Sequence, residues 1–216
     1  MLPLRLVPRH DNLRVLCLGA HSDDIEIGCA GTLLRWLREY ERVDLTWCVL
    51  SAGGERAAEA TRSARALTRR ASSCNVLLGE FEDGCLPADY RRVKDFLTEL
   101  RSRGDVDVVL THCLEDRHQD HRLVAELTWQ IWRDHLVLEY EIPKYEGDLG
   151  HPNLLVSLPP ALVKRKIDHL LRHFASQRSK SWFSAQTFEA LMRIRGVEAR
   201  AASGWAEGFQ MRKAVL

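Results

Sequence analysis

Two short segments crowd together side chains that can bind a metal or move a proton. The first is Ala20-His21-Ser22-Asp23-Asp24, trailed by Gly28-Cys29-Ala30-Gly31-Thr32. The second is Thr111-His112-Cys113-Leu114-Glu115-Asp116-Arg117-His118-Gln119-Asp120-His121. Imidazole and carboxylate are both competent zinc ligands, at roughly 2.0–2.2 Å from the ion. A helix cap accounts for one carboxylate of the Asp23-Asp24 pair but leaves His21 unexplained. His118 and His121 are three residues apart and share one face of a helical turn. Asp120, between them, can cap that helix or orient an imidazole. Glu115 and Arg117, taken alone, read as ordinary loop surface.

A His and an Asp from the first segment with a His from the second make a His₂Asp metal site. Three protein ligands leave a position for water, the pattern of catalytic rather than structural zinc. Zinc lowers the pKa of such a water to roughly 7. One carboxylate then remains as general base, and one histidine to protonate a leaving group or steady an oxyanion.

For the segments to meet, each must follow a strand of the same sheet. Apolar runs at 13–18, 43–50, 75–78 and 106–110 read as strands. They alternate with helical periodicities at 31–41, 55–72, 89–102 and 121–133. That alternation predicts parallel strands joined by right-handed crossovers, with helices on both faces. Ligands bind such sheets beyond the carboxyl ends of the strands, where residues 21–24, 51–56 and 111–121 fall. In the last third, 136–142 and 154–158 read as strands, and 160–175 and 185–195 as helices. The expected fold class is α/β: a Rossmann-like three-layer fold with a mostly parallel sheet and a C-terminal α+β extension, residues 1–216 forming a single domain.

The 216 residues carry 31 basic and 30 acidic side chains, a net charge of +1. That balance calls for neither a nucleic acid nor an anionic membrane as partner. Arg69-Arg70 and Arg91-Arg92 read as solvated helix faces. No apolar stretch reaches the ~20 residues of a membrane span, and the N-terminus lacks a signal-peptide pattern. A cytoplasmic protein is expected. Cys17, Cys29, Cys48, Cys74, Cys85 and Cys113 form no Cys-x-x-Cys pair and read as reduced, core-filling thiols. A nucleotide-binding module is disfavoured: the first turn has no Gly-x-Gly-x-x-Gly, and its two carboxylates would repel a pyrophosphate. In the tail, Trp182-Phe183 reads as core, and Tyr140-Glu141-Ile142-Pro143-Lys144 has no assigned role.

His21-Ser22-Asp23-Asp24 with Gly28-x-x-Gly31-Thr32, and Asp116-x-His118-x-Asp120-His121, resemble the two motifs of the PIG-L / LmbE-like de-N-acetylases. The resemblance covers about the first 145 residues. It implies Zn2+, or another divalent metal, on His21, Asp24 and His121. It further implies Asp23 as general base, His118 as oxyanion stabiliser or proton donor, and Asp120 as the partner that sets a histidine's tautomer. Arg56 falls where the family keeps a substrate-contacting arginine, and Asp83 where an acid binds sugar hydroxyls. The implied substrate is a small-molecule N-acetyl sugar or glycoconjugate; another amide or a carbamoyl bond on the same metal site is the alternative. Ser22 replaces the family's usual proline, and Ile25 its usual acid, with Glu26 one residue later.

Overall fold

The computed structural model describes residues 4–8 and 11–215. Five strands run parallel: β1 (Leu13–His21), β2 (Val43–Ser51), β3 (Ser73–Leu78), β4 (Val108–His112) and β5 (Leu136–Tyr140). β6 (Leu154–Ser157) and β7 (Ala206–Gln210) complete a seven-stranded sheet in the order β3-β2-β1-β4-β5-β7-β6. β7 is antiparallel to both of its neighbours. The helices are α1 (Asp24–Glu39), α2 (Gly54–Leu67), α3 (Tyr90–Ser102), α4 (Gln119–Ile131), α5 (Pro160–His173) and α6 (Ala185–Glu198).

Strand side chains alternate between two cores, as the pleat dictates. Leu13, Val15 and Cys17 of β1 join Val43, Leu45 and Trp47 of β2 beneath α1, α2, α5 and α6. Leu16, Leu18 and Ala20 join Cys48, Leu50 and Val109 beneath α3 and α4. This is the expected three-layer α/β architecture. Phe183 is buried and packs edge-on against Phe188, so it belongs to the core, while Trp182 is half-buried beside it. Among the described residues no helix is long and apolar enough to cross a membrane.

Three local expectations are corrected. α1 begins at Asp24 rather than Gly31, so Gly28 and Gly31 both lie inside the helix. A Cβ on Gly28 would collide with the Tyr140 ring, and one on Gly31 would stand 2.5 Å from Leu158. These glycines therefore serve close packing. β7 was not anticipated: Ala-Glu-Gly-Phe-Gln is short and has no clean alternation. Its Glu207 accepts the amides of Gly31 and Thr32 at 2.8 and 2.6 Å, while Lys166 donates to the Ile27 carbonyl at 2.6 Å. These two buried side chains insert into the hydrogen-bond ladder of α1 and tie it to the sheet's far half. Finally, α2 stops at Leu67, where the Thr68 hydroxyl donates to the Ala64 carbonyl, leaving Arg69 and Arg70 in an exposed turn.

Candidate metal and catalytic site

The strand order reverses between β1 and β4, and the chemistry-bearing segments leave the carboxyl ends of those two strands. His21 is the last residue of β1 and Asp24 the first of α1; Asp23, at the N-cap position, makes no capping bond with its side chain. His118 caps α4 with its ring, and His121 lies in the first turn of that helix.

Three donor atoms converge. His21 Nδ1 is 3.1 Å from His121 Nε2 and 3.4 Å from Asp24 Oδ2, and His121 Nε2 is 3.5 Å from the same oxygen. Ligands about 2.0–2.1 Å from a tetrahedral ion stand about 3.3 Å apart. Each imidazole has a carboxylate on its other nitrogen. His21 Nε2 lies 3.1 Å from Asp120 and 3.0 Å from Asp83. His121 Nδ1 lies 3.0 Å from Asp116. With the outer carboxylates holding the outer ring protons, each imidazole turns its other nitrogen toward Asp24 Oδ2, and a cation bound there would replace the inner proton that His21 otherwise keeps. The donor set fits zinc.

The electrostatics follow from burial and neighbours. Burial alone would raise Asp24, but His121, His112 and His21 hold it well below the usual carboxylate range. Burial lowers His21, yet Asp24, Asp120 and Asp83 carry it well above the ordinary histidine value. Burial, together with the neighbouring His112, holds His121 down. Asp23 is raised by burial against the opposing pull of Arg56, whose Nη2 is 2.6 Å from Asp23 Oδ1. Asp23 Oδ2 is buried with no hydrogen-bond partner among the described residues.

All eight residues singled out in the sequence meet here. His118 offers a ring nitrogen within 4.8 Å of nitrogens on His21 and His121. Its Nδ1 accepts the Asp120 amide at 3.3 Å, which places the ring proton on Nε2. Asp120 orients His21, and is itself held by the amides of Gly84 and Leu86 at 2.7 and 3.1 Å. Asp83 sits at the rim with its side chain 58% exposed, held at about 2 by its hydrogen bond to His21. Arg56 reaches both Asp23 and, at 3.5 Å, Asp83.

Other residues enter that the sequence left without a role. Asp116 orients His121, and its position inside the motif was the available signal. His112, fully buried, stacks on His121 with ring centroids 4.0 Å apart and lies 3.2 Å from Asp24. Lys144 pairs with Asp116 at 3.0 Å, and no spacing in the sequence connects the two. Glu26 does not replace the acid missing at Ile25; it turns away to Ser63. Cys85 is exposed in the turn that holds Asp120, so it is not core filling, and Cys74 and Cys113 are only partly buried.

Residues 16–132 match the PIG-L family, GlcNAc-PI de-N-acetylase, and the chain belongs to that family. Its fold is shared by solved structures of low identity. A conserved protein of Thermus thermophilus is 24% identical over 94% of this chain and 96% of its own, with a TM-score of 0.69. N,N'-diacetylchitobiose deacetylase from Pyrococcus horikoshii is 19% identical over 92% and 83%, also at 0.69. GalB, the 4-carboxy-2-hydroxymuconate hydratase of Pseudomonas putida, is 17% identical over 94% and 98%, again at 0.69. The same fold thus carries more than one reaction, and the site must decide which.

Proposed function

We propose that this chain is a zinc-dependent N-deacetylase acting on an N-acetylated amino sugar or glycoconjugate. The observation that carries the reading is the triangle of His21 Nδ1, Asp24 Oδ2 and His121 Nε2, flanked by a carboxylate and an imidazole that do not belong to it. Zinc bound there supplies a polarising charge for an amide carbonyl and a water that ionises near neutral pH. Asp23 accepts the proton of the attacking water through its unpartnered Oδ2, while Arg56 fixes the other oxygen. The N–H at His118 Nε2 donates a hydrogen bond to the oxyanion, and the proton that Asp23 took from the water passes to the departing amine. Water adds to the carbonyl carbon, the C–N bond breaks, and acetate and the free amine leave. Asp83, exposed at the rim, accepts hydroxyls of the sugar, and the Arg56 guanidinium beside it borders the same substrate.

The test is acetate release from a panel of N-acetyl glycosides with and without chelator, alongside metal analysis. Asp23→Ala is expected to keep its zinc and lose turnover, and His121→Ala to lose both. Full turnover in Asp23→Ala contradicts the mechanism. Release of another acyl group in preference to acetate moves the substrate to a different amide.

A further inference from the structure

The ion pair of Lys144 with Asp116 reaches further than a surface bridge. Lys144 comes from the loop after β5, and its side chain is only 7% exposed. Its ammonium meets Asp148 at 2.8 and 2.6 Å and Asp116 at 3.0 Å. Both carboxylates then grip the loop that enters α4. Asp116 Oδ1 accepts the His118 amide at 2.8 Å, and its Oδ2 takes His121 Nδ1 at 3.0 Å. Asp148 accepts the Arg117 amide at 2.7 Å. Three consecutive residues, 116–118, and the ring of a proposed zinc ligand therefore hang on one ammonium.

We propose that Lys144 is a positioning residue of the metal centre, holding Asp116 so that Asp116 can hold His121. Two carboxylates share this ammonium, and without it they would repel each other. They also border a cavity of about 290 Å³ lined by Ile142, Leu149 and Pro152. Without Lys144, water in that cavity competes for the Asp116 carboxylate, and the His121 ring loses its fixed orientation. Outer partners of metal-bound histidines act in this way, and their loss weakens metal affinity about 10–100-fold.

The inference rests on the zinc reading above, so wild-type affinity is one arm of its test. Zinc dissociation constants are measured on the full chain by competition with a chromophoric chelator, for wild type, Lys144→Met and the near-isosteric Asp116→Asn. The absorption spectrum of the cobalt-loaded protein and the melting temperature of the metal-free protein accompany them. Lys144→Met is expected to bind zinc about 10–100-fold more weakly and to shift the cobalt bands. If Lys144→Met does not fold, Asp116→Asn is expected to show the same two changes. Wild-type affinity and an unchanged cobalt spectrum in the variants, with or without a lower melting temperature, overturn the inference alone. A wild-type chain that takes up no zinc overturns the deacetylase reading and this inference with it.

Discussion

At the residue scale, His21 and His121 each have one nitrogen committed to a carboxylate and one turned inward. Asp120 and Asp83 hold His21, and Asp116 holds His121. His118 differs: its Nδ1 is committed to a backbone amide, so its Nε2 is the N–H free to donate a hydrogen bond. The two aspartates of the first motif are likewise separated by surroundings. Asp24 faces three imidazoles, and Asp23 faces Arg56. Arg56→Ala removes the clamp on Asp23 without touching a metal-facing atom. The expected result is unchanged zinc content with kcat lower by on the order of 10²-fold, since a misplaced base costs about that much. Steady-state kinetics with metal analysis checks it; a change confined to KM would mean that Arg56 serves the substrate and not Asp23.

At the element scale, α1 is the most constrained helix. Thirteen of its sixteen residues are buried, so its sequence shows no polar face to reveal where it starts. Gly28 lets the helix pass over the Tyr140 ring, and Tyr140 in turn donates to the Leu18 carbonyl at 2.5 Å. Gly28→Ala improves helix propensity by about 1 kcal/mol. Overpacking against Tyr140 opposes it, and the expected net effect is a loss of about 2 kcal/mol in urea unfolding. Combined with Tyr140→Leu, the two losses should sum to less than their separate values, because the ring that the new methyl strikes is gone. Strict additivity would mean that the helix relieves the clash by moving elsewhere.

At the scale of the whole molecule, the seam between α2 and α5 joins the sheet's helical cover to the region beside the site. Ser63 of α2 contacts His169 of α5 at 2.7 Å, and Glu59 accepts the Ser176 amide at 3.0 Å. The helices therefore run antiparallel, with Arg62 beside His173 and Arg165 near His169. Burial, then His173, Arg165 and Arg172, push His169 down to about 3. A depressed histidine is neutral in the folded state, so the unfolded chain binds more protons between about pH 6.5 and 3. Its contribution is complete above the unfolded pKa and is lost as pH falls through that window. With allowance for partial exposure, wild type should lose about 1–2 kcal/mol more than His169→Gln between pH 6.5 and 4.5. Urea titrations at the two pH values measure this; equal losses would mean that His169 charges freely in the folded protein.

The sequence by itself determined the parallel α/β core, because short apolar runs alternating with helical periodicities leave few other ways to bury both faces of the strands. It also determined which side chains gather at the candidate site, because His21, Asp23, Asp24, His118, Asp120 and His121 are crowded next to strand ends, and strand ends of a parallel sheet share one edge. Those signals are local, and local spacing survives in a string of letters. The tertiary structure alone decided which carboxylate serves which imidazole, since Asp116 and Asp120 lie four residues apart yet turn to different rings. It decided that Arg56 grips Asp23 and that Lys144 reaches Asp116. It also decided that β7 enters the sheet between β5 and β6, from a segment whose own pattern is too weak to announce a strand. Each of these depends on contacts between residues far apart in the chain, where packing and charge, not periodicity, select the partner.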